Sequence, residues 1–126
     1  KTRNDNYNSF LKIINKFKKN FYQIGPTNIK EISSYSFPLV FKDYKKLKKF
    51  KNILSKNNVE FRPLISGDLT KQPYLNKFIS KKNINSKIIH SNGIYIGNNQ
   101  FVDMKRIMKL DSMLSKVFLN WVFLKL

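Results

Sequence analysis

Two prolines impose the strongest local restriction on this chain, and both lie in the stretch from Val59 to Tyr74. Val59 and Phe61 alternate with Glu60 and Arg62, the period-two pattern of a half-buried strand. Pro63 removes a ladder donor and keeps Arg62 extended, which places the guanidinium near a strand end. Ser66-Gly67-Asp68 supplies turn chemistry, and Gln72-Pro73 puts proline where a first helical turn tolerates it. Tyr74, Leu75, Phe78 and Ile79 then fall on one face of the predicted helix. A guanidinium, a hydroxyl, a carboxylate and an amide thus gather beside open backbone. That is the composition of a binding site, and an exposed polar loop has it too.

The remaining elements follow from periodicity. Asn4 and Asp5 are candidate caps for a first helix in which Phe10, Leu11, Ile14, Phe17 and Phe21 recur at helical spacing, ended by Gly25-Pro26. Tyr35, Phe37, Leu39 and Phe41 alternate with Ser34, Ser36, Pro38 and Val40, a strand whose proline argues for an edge or a strand start. Asp43 is placed to cap a helix with Leu47, Phe50, Ile53 and Leu54 on its apolar face, and Asn57-Asn58 turns the chain into a central strand at Val59. A polar link, Ser80 to Asn83, precedes a short helix around Ser86 to His90 that stops at Gly93. Ile94-Tyr95-Ile96 reads as a further strand. Asp103 then caps a last helix with Ile107, Leu110, Leu114, Val117 and Phe118 in one stripe and Lys105, Arg106 and Lys109 outside it. The order predicts an α+β fold: a small antiparallel or mixed sheet of about three strands packed against helices.

Composition excludes several classes. At 126 residues the chain is one domain or a piece of a larger protein. It has no cysteine and one histidine, which removes disulfides, thiolate chemistry and any ordinary protein-only metal site, so no metal is expected. The seven carboxylates are dispersed and several fall at helix caps, so no paired acid–base site and no catalytic residue is assigned. The longest apolar run, Val117 to Leu124, is broken by Asn120 and too short to cross a bilayer; the chain reads as soluble, with no membrane partner. The net charge of +18 ordinarily suggests nucleic acid. However, Arg3, Arg62 and Arg106 are the only arginines among 25 basic residues, and alanine is absent, the mark of a strongly AT-rich coding sequence. The lysines are also spread over most segments and read as solvated faces. A basic nucleic-acid-binding module therefore stands only as the alternative reading.

Four segments carry a resemblance: Tyr35-Ser-Phe-Pro-Leu39, Val59-Glu-Phe-Arg-Pro-Leu-Ile-Ser-Gly67, Gln72-Pro73 and His90-Ser-Asn-Gly-Ile-Tyr-Ile-Gly-Asn-Asn99. In this order and separation they resemble the C-terminal small domain of the DegT/DnrJ/StrS family of pyridoxal-phosphate sugar aminotransferases and sugar dehydratases. The resemblance covers residues 1–118, is nearest to members acting on nucleotide-linked 4-keto-6-deoxy sugars, including the 3-dehydrases, and leaves 119–126 as an apolar tail of unknown role. Asp68 stands where those members often carry asparagine.

The resemblance implies the small domain of a fold-type-I enzyme that is homodimeric, cytoplasmic and engaged in surface polysaccharide (lipopolysaccharide) biosynthesis. Pyridoxal phosphate and its anchoring residue would lie in a large domain outside this chain, so this chain would be a fragment, inactive by itself. The substrate would be a nucleotide sugar. Arg62 is the first candidate for a substrate contact, since a guanidinium suits a diphosphate or carboxylate; its alternative is a surface salt bridge. His90, Ser66, Asp68, Gln72, Asn98 and Asn99 are further candidates on adjoining loops, with capping or turn duty as their alternative.

Overall fold

Phe37, Leu39 and Phe41 point to one side of a strand while Ser36, Pro38 and Val40 point to the other, and this alternation sets the layers of the molecule. In the computed structural model, which describes residues 1–24, 30–65, 68–75, 77–78 and 83–119, the elements run in chain order as follows. Helix α1 (Thr2–Lys16) precedes strands β1 (Phe21–Tyr22) and β2 (Ser36–Phe41), then α2 (Tyr44–Lys56) and β3 (Phe61–Pro63). Next come α3 (Ile84–Asn92), β4 (Gly93–Gly97) and α4 (Met104–Phe118). The strands form one antiparallel sheet in the order β1-β2-β4-β3. The fold is α+β, as the pattern predicts, with a fourth strand.

Helices α1, α2 and α4 cover the Phe37–Leu39–Phe41 face. Phe10 of α1 stacks on Phe37 with centroids 4.3 Å apart. Phe41, fully buried, meets Phe21, Phe50 and Phe118 at 4.8, 5.5 and 5.9 Å. Each such buried side chain contributes roughly 1.5–3 kcal/mol by leaving water. Two helices start where their caps were expected. Asp43 accepts from the Lys45 N–H at 2.7 Å, and Asp103 accepts from the Arg106 N–H at 2.9 Å. Asn58 ends the α2 turn at φ 55°, a left-handed position that asparagine tolerates.

The structure corrects six expectations. Helix α1 begins at Thr2 without a side-chain cap, so Asn4 and Asp5 are not its caps; Asn4 accepts from the Ile32 N–H at 2.8 Å. Phe17 and Phe21 are buried but not helical, because a 3-10 turn at Lys18–Asn20 intervenes and Phe21 enters β1. Pro38 lies in an interior strand, yet β1 pairs only as far as Val40, so among the described residues the strand has a β-partner on one side only beside Pro38. The strand carrying Arg62 is an edge strand, and it begins at Phe61 rather than Val59. Pro73 opens only a 3-10 turn, Pro73–Leu75, and Tyr74 and Phe78 are 70% and 81% exposed instead of forming a buried face. Asn83 is more than a link: its side chain accepts from the Asn85 and Ser86 N–H groups and caps α3, which starts at Ile84. Gly25-Pro26, Ser66-Gly67, Ile79 to Lys82 and the tail beyond Leu119 lie outside the described residues.

The Phe41→Ala substitution is expected to destabilise the chain by about 3–5 kcal/mol. Tyr44→Ala, at an exposed position of α2, is expected to change stability by less than about 0.5 kcal/mol. Urea unfolding of both variants checks the contrast.

Candidate functional site

Strand β3 positions Arg62 beside Tyr95 of β4, while Phe61, one residue earlier, turns inward and pairs with Ile96. Along this edge runs a groove of about 680 Å³ between the β3–β4 pair and α4. Phe37, Phe61, Ile107 and Leu110 give it apolar lining, and Arg62, Arg106 and Lys109 make it cationic. A groove with apolar walls and cations suits an anion that carries an apolar body. Arg62 is largely exposed, and its Nε and Nη2 both donate to Glu60 Oε1, at 2.9 and 2.8 Å. The hydrogen bond and charge of Glu60 push the Arg62 pKa up. An exposed pair of this kind adds little stability, so an incoming anion could displace Glu60 at small cost.

Of the other candidates among the described residues, only Asn99 joins Arg62 at this groove. Asn99 is exposed, and its side-chain carbonyl accepts from the Phe101 N–H at 2.9 Å. Asn98, next to it, is fully buried. Its Nδ2 donates to the carbonyls of Arg3 and Ser34, both at 3.0 Å, and its Oδ1 accepts from Asn6 Nδ2 at 3.5 Å. Those bonds make Asn98 a clamp between α1, the approach to β2 and the exit of β4.

Asp68, Gln72 and His90 belong to a second region around the 3-10 turn Leu69–Lys71 and the end of α3. Asp68 is 5% exposed and accepts from Thr70 Oγ1 at 2.6 Å and from the Thr70 N–H at 3.1 Å, capping that turn. The Thr70 hydroxyl is the main influence holding the Asp68 carboxyl below its ordinary range; Lys71 and His90 add to the effect and burial opposes it. Gln72 is half-buried and its backbone N–H donates to the Leu69 carbonyl at 3.0 Å. His90 is exposed in the last turn of α3. Ser66 lies outside the described residues. The sequence reading missed Arg106 and Lys109 as groove residues, although their i, i+3 spacing placed them on one side of α4. It also missed Asn6, a buried amide beside Tyr7 and Phe10 whose Nδ2 donates to the Val102 carbonyl at 2.8 Å. Its signal was a polar residue within an apolar helical stripe.

Among the described residues no group of side chains could hold a metal ion, and no helix is long and apolar enough to cross a membrane.

No protein-family model and no curated protein matches the chain. Solved structures do. An E. coli GDP-4-keto-6-deoxy-D-mannose-3-dehydratase with bound hydrated PLP aligns with 90% of this chain at 23% identity and a TM-score of 0.73. A GDP-4-keto-6-deoxymannose-3-dehydratase with a trapped PLP-glutamate geminal diamine aligns over the same share at 24% identity and a TM-score of 0.74. A mutant of such a dehydratase with bound GDP-perosamine aligns at 24% identity and 0.73. The chain spans 30% of the length of each of these proteins. The likeness establishes the fold as that of a part of these enzymes.

Two predictions follow from the geometry. Asn98→Ala is expected to cost about 2–3 kcal/mol in chemical unfolding, because it removes the buried amide that bridges the Arg3 and Ser34 carbonyls and Asn6. Asn99→Ala, at the exposed neighbouring position, is expected to cost under about 1 kcal/mol. Asp68 has a lower pKa folded than unfolded, so its contribution is complete above its unfolded value, near 3.8, and disappears as pH falls through the folded value. Asp68→Asn retains an acceptor for Thr70 but no titrating charge. Melting temperature measured against pH is therefore expected to fall more steeply below about pH 4 in the unsubstituted chain than in Asp68→Asn.

Proposed function

We propose that residues 1–118 are the C-terminal small domain of a pyridoxal-phosphate-dependent enzyme acting on a nucleotide-linked 4-keto-6-deoxy sugar. The observation that carries the reading is the alignment of 90% of this chain with part of nucleotide-sugar dehydratases at TM-scores of 0.73 and 0.74. The sequence resemblance, carried by segments 35–39, 59–67, 72–73 and 90–99, points the same way. Because these neighbours are 3-dehydratases, deoxygenation is favoured over amination. A homodimer, a cytoplasmic location and a role in surface polysaccharide synthesis belong to the same proposal.

Nothing among the described residues fits the cofactor. No described lysine is buried, and every buried side-chain polar atom among the described residues has a partner, so none awaits a ligand. In the complete enzyme a separate PLP-binding domain would hold the group, which supplies an electron sink for bond cleavage beside the keto carbon. This chain's part is binding and enclosure. Arg62, at the groove and free of the core, would meet the diphosphate of the nucleotide sugar, with Asn99 beside it. The exposed side chains of Ile65, Tyr74 and Phe78, together with Tyr35 against Tyr95, offer an apolar surface for the PLP-binding domain to cover.

Arg62→Ala in the complete enzyme is expected to raise KM for the nucleotide sugar by about ten- to a hundred-fold with kcat nearly unchanged, as for a contact made equally in ground and transition states. The melting temperature should stay constant, since an exposed side chain fills no core volume. Steady-state kinetics together with a melting curve check this: an unchanged kcat/KM removes Arg62 from the site. The chain by itself is expected neither to bind pyridoxal phosphate covalently at one site nor to turn over substrate.

A further inference from the structure

The outer side of α4 and the turn before it combine two properties that a solvated helix has no use for. Phe101, Met104 and Met108 are 72%, 53% and 52% exposed, at spacings of three and four residues. Phe101 is also held outward: its N–H donates to Asn99 Oδ1 at 2.9 Å, and its carbonyl accepts from Arg106 Nη1 at 3.1 Å. Beside this apolar row, Lys105 and Lys116 are exposed on the same helix. The neighbouring α2 adds exposed Lys45, Lys48 and Lys49 and contains no acidic residue. On α4 itself, Asp111 is neutralised by Lys16 of α1, and Asp103 is occupied as the helix cap. The helices share one side of the sheet, so their outer sides make a single cationic layer with an apolar row through it.

We infer that this helical layer docks on an anionic lipid surface, with Phe101, Met104 and Met108 entering the headgroup region and the lysines of α4 and α2 meeting lipid phosphates. The contact is peripheral, since no described helix is long and apolar enough to span. It departs from the expectation of no membrane partner, which treated the lysines as scattered; those of α2 and α4 stand on two helices that cover the same side of the sheet. Charge complementarity by itself would equally suit nucleic acid. A phosphate backbone, however, offers nothing to two exposed thioether chains, whereas an interface between headgroups and acyl chains accepts them. The inference rests on α4 and α2 and does not depend on the proposed enzyme.

The test is co-sedimentation of the whole chain with vesicles of phosphatidylglycerol in phosphatidylcholine, and of phosphatidylcholine alone, at about 0.15 M salt. The expected result is binding to the anionic vesicles only. Lys105→Gln and Lys116→Gln should each weaken partition roughly five-fold. The triple variant Phe101→Ser, Met104→Ser, Met108→Ser should weaken it at least ten-fold while its melting temperature holds, because the three side chains are outside the core. Absence of binding to anionic vesicles overturns the proposal. So does binding that the triple variant leaves intact, with duplex DNA competing equally, which would indicate a general polyanion surface. Binding lost on deletion of 119–126 but unaffected by the α4 substitutions assigns the contact to the tail and overturns it too. A triple variant that dissociates an oligomer, in a chain with no vesicle binding, identifies a second copy as the occupant instead.

Discussion

Phe41 and Phe118 stack with ring centroids 5.9 Å apart, and that contact joins an interior strand to the last helix of the chain. Phe21 closes on both rings, Phe50 reaches Phe41 from α2, and the Lys46 ammonium lies 5.3 Å above the Phe118 ring. An aromatic cluster of this kind exists only if Phe37, Leu39 and Phe41 share one side of β2. Once they do, three helices must collect on that side to cover them. The opposite side of the sheet, with Pro38 and Tyr95, is then left without the same cover. The two sides of the sheet are therefore available for different work.

At the other end of the sheet the connection is polar. Asn98 joins three segments through side-chain bonds to Arg3, Ser34 and Asn6, and its backbone N–H extends the β2–β4 pairing to the Tyr35 carbonyl at 2.6 Å. Buried amides of this kind are tolerated only when they are satisfied, and here they are. Asn99 follows immediately, yet its amide faces solvent and organises the turn that presents Phe101. Two adjacent asparagines thus serve unrelated ends, one internal and one at the surface.

Much of this was legible in the residues. Asp43 and Asp103 are caps, Asn57-Asn58 turns the chain, and the stripes of α2 and α4 are buried as their spacing predicts, because capping and amphipathic periodicity are local. The α1 boundary was less legible. Phe17 and Phe21 continue a helical period while leaving the helix, since a 3-10 turn and a two-residue strand deliver them to the same core. The stretch after Pro73 shows the converse: Tyr74 and Phe78 have the spacing of a helix face but no element of the described chain covers them. For the candidate site, Arg62 at an exposed strand end was readable from Pro63. Its pairing with Glu60 and its company of Arg106 and Lys109 were not, because the latter are brought to the groove from more than forty residues away by α4 packing.

The sequence by itself determined the class of fold, the caps and turns that punctuate it, and the absence of cysteine. These depend on residue type and on spacing within a few positions. Only the tertiary structure decided that β3 is an edge rather than a central strand, that Asn98 is internal while Asn99 is not, and that α2 and α4 lie against one another. Each of those outcomes depends on which distant elements meet, through strand order, buried hydrogen bonds across ninety residues and the side of the sheet that the aromatic cluster selects, and no local pattern encodes that choice.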